Sequence, residues 1–386
     1  MEYVRFKDVT LSTQYGYTAD ETSKTEGTYK YLRITDIVPY FVNFNTVPFC
    51  TIPPSKVEQY LVNEGDILIA RTGATTGYNY VVQKGVKNTV YASYLIRFNV
   101  DKTKVLPSYM KYVLKSNYYY GFINNYIGGS AQPGMNARVF GRFNIPNNSL
   151  PIQRRIASIL SAYDNLIENN NKRIRLLERM AENLYKEWFV RFRFPGYENA
   201  EFENGLPKGW KIDRYSNVVN ISAGGDRPKV YSEEPTLECN VPIYSNGIEK
   251  DGLYGYTDKS KIDKPCITIS ARGTVGFVCL RRKPFVPIVR LLAVVPKMGI
   301  SEYYLYFSSK YNDLEGNGTS QQQLTVPMLN KRKIMIPEDR LLSMFHKKME
   351  LLFNQIDNFK NQSSILSRQR DLLLPRLMSG KLEVNV

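Results

Sequence analysis

Apolar residues recur with heptad spacing from Pro151 to Trp188. Ile156, Leu160, Tyr163, Ile167, Asn170, Ile174, Leu177, Ala181, Leu184 and Trp188 stand in alternating steps of four and three, which predicts a coiled-coil seam on one long helix. Arg154, Arg155, Glu168, Lys172, Arg173, Arg175, Glu178 and Glu182 fall between those positions, so the remaining faces stay wet and one partner surface suffices. At ~1.5 Å per residue the helix would reach roughly 50 Å.

A second stripe with the same alternation runs through Leu342, Phe345, Met349, Leu352, Ile356, Phe359, Ser363, Leu366, Arg370, Leu373 and Leu377. Pro375 should end or kink this helix before its last seam position. Each stripe carries one mid-seam polar residue, Asn170 and Ser363, of the kind that fixes register at some cost in stability. The two stripes read as two strands of one antiparallel coil; the competing reading is that each covers the core of its own domain.

Shorter patterns fill the rest. Tyr31 to Ile37, Asp66 to Ala70 and Tyr91 to Phe98 are predicted strands, with Thr72 to Gly77 a Thr/Gly turn closing the second. Pro107 suits a first helical turn, and Tyr109, Met110, Val113 and Leu114 follow at helical spacing up to Gly128 and Gly129. A polar loop, Ser130 to Asn136, leads into a short strand from Arg142 to Ile145, stopped by Pro146. The stretch from 197 to 336 replays this order. Ile67-Leu68-Ile69-Ala70-Arg71-Thr72-Gly73 is echoed by Ile267-Thr268-Ile269-Ser270-Ala271-Arg272-Gly273, and the Tyr109/Tyr112 helix by Tyr303 and Tyr306 with Ser301 as its cap. Ser130-Ala131-Gln132 is echoed by Ser320-Gln321-Gln322-Gln323, and Pro146 by Pro337. One unit has been duplicated. The fold class expected is α+β: two mixed α/β domains at 1–148 and 195–336, separated by an antiparallel two-helix coiled coil built from 149–194 and 337–386.

Composition adds a partner. At 386 residues the chain is too long for one core. Its 52 Lys and Arg against 36 Asp and Glu give +16, with a pI near 9.4, and such a field attracts phosphate backbones. No run of eighteen apolar residues exists, which argues against a membrane partner. Cys50, Cys239, Cys266 and Cys279 form no CxxC pair and no signal peptide precedes them, so a cytoplasmic, reduced setting without a zinc site is expected.

Catalytic groupings are not evident. The one histidine, His346, flanks the second seam and reads as a solvated helix residue rather than a general base. Gly73 to Gly77 lacks the GxxxxGK[ST] and GxGxxG spacings and reads as a turn. Ile52-Pro53-Pro54-Ser55 is a proline turn and not the Asn-Pro-Pro-aromatic tetrad of an amino methyltransferase, and the carboxylates are scattered.

Several segments resemble the specificity subunits of type I restriction-modification systems. Ala181-Glu182-Asn183-Leu184-Tyr185-Lys186-Glu187-Trp188-Phe189-Val190-Arg191-Phe192-Arg193-Phe194-Pro195-Gly196 is similar to the end of that family's first spacer helix, and Ser149-Leu150-Pro151-Ile152-Gln153-Arg154-Arg155-Ile156 to its start. Leu374-Pro375-Arg376-Leu377-Met378-Ser379-Gly380-Lys381-Leu382 resembles the end of the second, and Gly205-Leu206-Pro207-Lys208-Gly209-Trp210 the entry to a second target-recognition domain. One departure is Pro337-Glu338-Asp339-Arg340-Leu341, which lacks the Gln and Ile of the first helix start.

The resemblance implies a non-catalytic subunit. Two target-recognition domains each read half of a split site in double-stranded DNA, and the coil sets the unread spacer. It implies no cofactor on this chain, two partner methyltransferase subunits that modify adenine N6 with S-adenosylmethionine, and motor-nuclease restriction subunits that use ATP and Mg. The other reading from composition and coil is a scaffold that binds nucleic acid without sequence preference; a third is a free-standing enzyme.

Candidate DNA-binding residues are Arg71, Thr72, Gly73, Thr75, Thr76, Ser130 and Gln132 in the first copy and Arg272, Gly273, Thr274, Ser320, Gln321, Gln322 and Gln323 in the second. Arginine can fork onto guanine O6 and N7, and glutamine onto adenine N6 and N7. Thr75, Thr76, Thr274 and Ser320 suit phosphates. Tyr118, Tyr119 and Tyr120 are candidates for base stacking, against a helix-core role.

Overall fold

In a computed structural model the chain is described at residues 2–22, 27–127, 134–311, 323–382 and 384. It divides into two compact units, Met1–Lys172 with Lys360–Val386, and Arg173–Phe359.

The first unit carries strands β1 (Tyr3–Arg5), β2 (Thr10–Tyr15), β3 (Tyr29–Leu32), β4 (Phe49–Cys50), β5 (Ile67–Ala70), β6 (Asn79–Val81), β7 (Thr89–Tyr91), β8 (Leu95–Val100) and β9 (Asn144–Pro146). An antiparallel sheet runs in the order β2-β8-β5-β6, a second in the order β4-β3-β7, and β1 pairs with β9. In the second sheet β3 lies antiparallel to β4 and parallel to β7. All four residues of β5 are buried because side chains alternate faces: Ile67 and Ile69 enter the main core, and Leu68 and Ala70 a smaller one. Helices α1 (Ile34–Ile37), α2 (Pro54–Tyr60), α3 (Pro107–Val113), α4 (Asn117–Ile127) and α5 (Ala137–Phe140) precede the long α6 (Leu150–Tyr185), which a π turn extends through Val190.

Some expected elements shift. The strand predicted over Tyr31 to Ile37 stops at Leu32, where Asp36 accepts from the Arg33 backbone at 2.9 Å and starts α1 instead. Tyr91 to Phe98 is split between β7 and β8 by a turn at Ser93 and Tyr94. The helix from Pro107 breaks at Leu114 to Ser116, where the Ser116 hydroxyl accepts from Tyr119 N and restarts the chain as α4. The Arg142 to Ile145 strand forms as Asn144–Pro146.

In the second unit the strands are β10 (Phe202–Glu203), β11 (Leu206–Pro207), β12 (Lys211–Arg214), β13 (Val219–Ala223), β14 (Val241–Tyr244), β15 (Leu253–Thr257), β16 (Cys266–Ile269), β17 (Val278–Arg281), β18 (Val286–Pro287), β19 (Leu292–Pro296) and β20 (Lys333–Ile336). Its sheets run β13-β19-β16-β17, β15-β14-β18 and β12-β20, with a separate β10-β11 ribbon. The first three repeat the order of the first unit, including one parallel pair, β14 with β18. The duplication therefore extends from sequence to strand order. Helices α7 (Tyr215–Val218), α8 (Glu302–Tyr311), α9 (Val326–Lys331) and α10 (Asp339–Met378) complete it; α10 passes into the first unit at Lys360.

Within each unit α6 packs against α10 and the pairing is antiparallel. In the first, Ile156, Ala157 and Leu160 share a core with Leu374, Leu377 and Met378, Asp164 bonds Arg370 at 2.9 Å, and Asn170 Nδ2 lies 3.5 Å from Gln362 Oε1. In the second, the Arg173 guanidinium lies 5.3 Å from the Phe359 ring, and Ala181, Tyr185, Trp188 and Phe189 share a core with Leu342, Phe345 and Met349. Partners thus descend α10 as they ascend α6. Ile156, Leu160, Ile167, Ile174, Trp188, Phe345 and Ile356 are buried, whereas Leu177, Leu184, Leu352, Phe359, Leu366 and Leu373 are half-buried.

Three details of the stripes emerge from the structure, and two of them, at Pro375 and His346, depart from the expectation. Pro375 does not end α10: the helix runs three residues further, through Met378. Burial of Leu374, Leu377 and Met378 in the core offsets the ~3 kcal/mol that an internal proline costs. Of the two mid-seam polar residues, Asn170 faces Gln362 at 3.5 Å, whereas Ser363 Oγ is buried without a hydrogen-bond partner. Finally, His346 is half-buried against Tyr303, with Nδ1 3.2 Å from Ser301 Oγ and 3.5 Å from Glu302. Ser301 thereby turns its hydroxyl to His346.

Among the described residues no helix is long and apolar enough to cross a membrane, and no cluster of His, Cys, Asp and Glu is arranged to hold a metal ion.

Candidate nucleic-acid interface

In the four-stranded sheet of the first unit, the end of β2, the end of β5 and the start of β8 lie on one rim because neighbouring strands run antiparallel. Arg71 follows β5 there. Its backbone N donates to Tyr94 O at 3.0 Å and its O accepts from Met135 N at 2.8 Å, while Thr72 bridges Gly134. These bonds stitch Gly134 and Met135 onto the turn after β5. The turn is drawn tight by Thr76, which is buried and donates its hydroxyl to Gly73 O at 2.7 Å, and by Gly77 N donating to Ala70 O at 2.8 Å. Gly73 is exposed with φ +77° and nothing within 4 Å of where a Cβ would stand, so its backbone is open to a ligand. Thr75 is half-buried.

The second unit builds the same rim. Leu324 N donates to Ala271 O at 3.0 Å, as Met135 does to Arg71; Gly273 has φ +69° and open space, as Gly73 does. Gly276 N closes the turn on Ser270 O at 2.9 Å, one residue earlier than in the first copy. Arg272 is exposed, with a guanidinium nitrogen 3.4 Å from Gln323 Oε1. Thr274 Oγ1 is buried without a hydrogen-bond partner.

The two arginines are not equivalent. Strand register sets Ile67 opposite Phe98 and Ile267 opposite Val294, so Arg71 corresponds to Ala271 and Arg272 to Thr72. Because side chains alternate along a strand, a one-residue offset sends them to opposite faces. Arg71 accordingly lies half-buried, with Nε donating to Ser93 O at 3.2 Å and its guanidinium 5.1 Å from the Tyr15 ring; Arg272 projects outward.

Ser130, Gln132, Ser320, Gln321 and Gln322 lie outside the described residues. Of the tyrosine run, Tyr119 is buried and donates its hydroxyl to Gly77 O at 3.0 Å, supporting the turn from behind. Burial pushes its pKa well above the ordinary value, so it stays a donor. Tyr118 packs on Tyr3 and Phe143. Two rim residues escaped the sequence. Tyr15, 42% exposed under Arg71, carried no signal in the sequence. Asn246 accepts from Ala271 N at 2.8 Å and donates to Val289 O at 2.6 Å; its Ser-Asn-Gly setting signalled only a turn.

Each rim offers outward arginine or glycine backbone in a turn fixed by backbone hydrogen bonds: geometry suited to binding an extended polyanion. The comparisons with known proteins agree. A family model described as the type I restriction modification DNA specificity domain matches residues 1–179 and again 207–358. The chain is 28% identical over 343 residues to the type I restriction enzyme MjaIX specificity subunit of Methanocaldococcus jannaschii, covering 83% of itself and 78% of that relative. It is 23% identical over 403 residues to the HindI specificity subunit of Haemophilus influenzae, covering 83% and 87%. Its fold is similar to the crystal structure of a type I restriction-modification S subunit from M. genitalium, with TM-score 0.60 and 17% identity over 97% of this chain and 95% of that one. With a family domain matched twice across most of its length, on two units that share one strand order, the chain belongs to the type I restriction-modification DNA specificity family.

Proposed function

We propose that this chain is the sequence-reading, non-catalytic subunit of a type I restriction-modification complex, each unit reading one half of a split DNA site. The observation that carries the reading is the matched rim: two units whose three shared sheets have one strand order place an open glycine turn, Gly73 or Gly273, after the same central strand. Duplicate rims suit two half-sites of one duplex, and the +16 charge supplies attraction to phosphate. The exposed Arg272, the exposed Gly73 and Gly273 backbones and the half-buried rim residues Gln323, Thr72 and Thr75 are the contacts we favour. Thr76 serves the turn. Ser130, Gln132, Ser320, Gln321 and Gln322 remain proposed contacts.

On this reading the chain acts in the cytoplasm and recruits two adenine-N6 methyltransferase subunits that bring S-adenosylmethionine, with ATP- and Mg-dependent restriction subunits joining them. The helices shared by both units set the unread spacer. Mapping methylated adenines in DNA from cells carrying the chain with a type I methyltransferase partner tests it. A split motif that vanishes without the chain is expected; methylation without sequence preference would favour the scaffold reading instead.

A further inference from the structure

We infer that Arg290 is a base-reading residue of the second unit, presented beside Arg272 by Asn246; the inference rests on the DNA-reading function proposed above. The turn Ile288-Val289-Arg290-Leu291 enters β19 on the rim and is closed by Leu291 N donating to Ile288 O at 3.0 Å. Both central residues are left-handed, Val289 at φ 51° and Arg290 at φ 64°. That pair of conformations is normally filled by Gly, Asn or Asp, and a β-branched residue there is an outlier.

The fold does not require it. The first unit makes the same connection with Ala92-Ser93-Tyr94-Leu95, closed by Leu95 N to Ala92 O at 2.9 Å, and neither Ser93 nor Tyr94 is left-handed. Packing does not require it either, since Val289 and Arg290 are both exposed. The surroundings nevertheless hold the turn firmly: Val289 N donates to Gly225 O at 2.9 Å, Arg290 N to Gly224 O at 3.1 Å, and Asn246 Nδ2 to Val289 O at 2.6 Å. Strain kept at an exposed position by surrounding bonds is a mark of functional sites.

Asn246 gives the turn its partner. The same side-chain amide accepts from Ala271 N at 2.8 Å, so one residue fixes the backbone immediately before each of two exposed arginines, Arg272 and Arg290. Arginine's planar fork matches guanine O6 and N7 in the major groove. The ligand is therefore a G·C-containing duplex half-site. At the matched position the first unit carries Tyr94, which has no fork, so the two rims read different bases from one scaffold.

The test is selection from a randomised duplex library by the full chain bound to its methyltransferase partner, comparing wild type with Arg290→Ala, Arg290→Lys and Arg290→Gly. All three variants should lose roughly tenfold to hundredfold discrimination at one G·C pair of one half-site, and leave the other half unchanged. Arg290→Gly relieves the left-handed strain and should melt no lower than wild type, which separates lost reading from lost folding. Asn246→Ala should weaken the same position. Unchanged preference in Arg290→Ala overturns the inference, as does recovery in Arg290→Lys with affinity in Arg290→Ala falling equally on every sequence, the behaviour of a phosphate contact. A wild-type chain with no sequence preference would sink the DNA-reading function itself; a selective wild type with insensitive variants sinks only the role of Arg290.

Discussion

Asp164 on α6 and Arg370 on α10 meet at 2.9 Å with side chains 2% and 8% exposed. Lys111 Nζ at 2.6 Å and the Tyr112 hydroxyl at 2.8 Å donate to the other Asp164 oxygen, so the carboxylate ties α3 and both long helices of the first unit. Removing one partner of a buried pair leaves an uncompensated charge, typically about 3–5 kcal/mol. Asp164→Ala should therefore lower the unfolding free energy by roughly that amount, measured by urea denaturation.

Acid sensitivity follows from the same group. Burial works to raise the Asp164 pKa, but Lys111, then Arg370 and Tyr112, outweigh it and hold the carboxyl below its usual value. With the folded pKa depressed, the stabilisation is fully present above the unfolded value of about 4 and is lost as pH falls through the folded one. Urea titrations from neutral pH downward should show a shallower acid loss for Asp164→Asn than for wild type; equal slopes would count against the assignment.

Gly16 and Gly224 occupy matched crossings between sheets. A Cβ on Gly16 would stand 2.2 Å from Ala92 O, and one on Gly224 2.7 Å from Ile288 N. Both contacts are backbone and cannot swing aside, so overpacking of ~1–3 kcal/mol or more is expected for Gly16→Ala and for Gly224→Ala. Thermal melting of each variant checks this, and a melting point like that of wild type would show that the strand crossing can shift.

Arg71 and Arg272 should separate by readout. Arg272→Ala should cost ~1–3 kcal/mol of discrimination at its half-site with little change in melting. Arg71→Ala, which loses the bond to Ser93 O and the stacking on Tyr15, should instead lower stability by about 1 kcal/mol. Binding isotherms on matched and mismatched duplexes, beside melting curves, distinguish the two.

Deleting one heptad from α6 and one from α10 removes about 10 Å of helix, roughly three base pairs of duplex. Methylation mapping should then find a spacer shortened by about that amount, with both half-site sequences kept. A constant spacer would refute the helices as its ruler.

The sequence alone determined what is local and periodic. Heptad spacing marked α6 and α10, a four-residue apolar run marked β5, and repeated segments, β16 among them, exposed the duplication, because burial imposes a period on each element whatever its partner. It also put Gly73 and Gly273 in turns. Only the tertiary structure decided what depends on distant partners. Asp164 stood outside the apolar seam and carried no signal, yet Lys111, Tyr112 and Arg370 converge on it from remote parts of the chain. Arg71 and Arg272 looked like twins beside glycine, and strand register turned them apart. Pro375 looked like a stop, and the core around Leu374 and Leu377 carried the helix past it. Asn246 signalled only a turn and Arg290 gave no signal, since the bonds that join them to the rim exist only after the sheets are assembled.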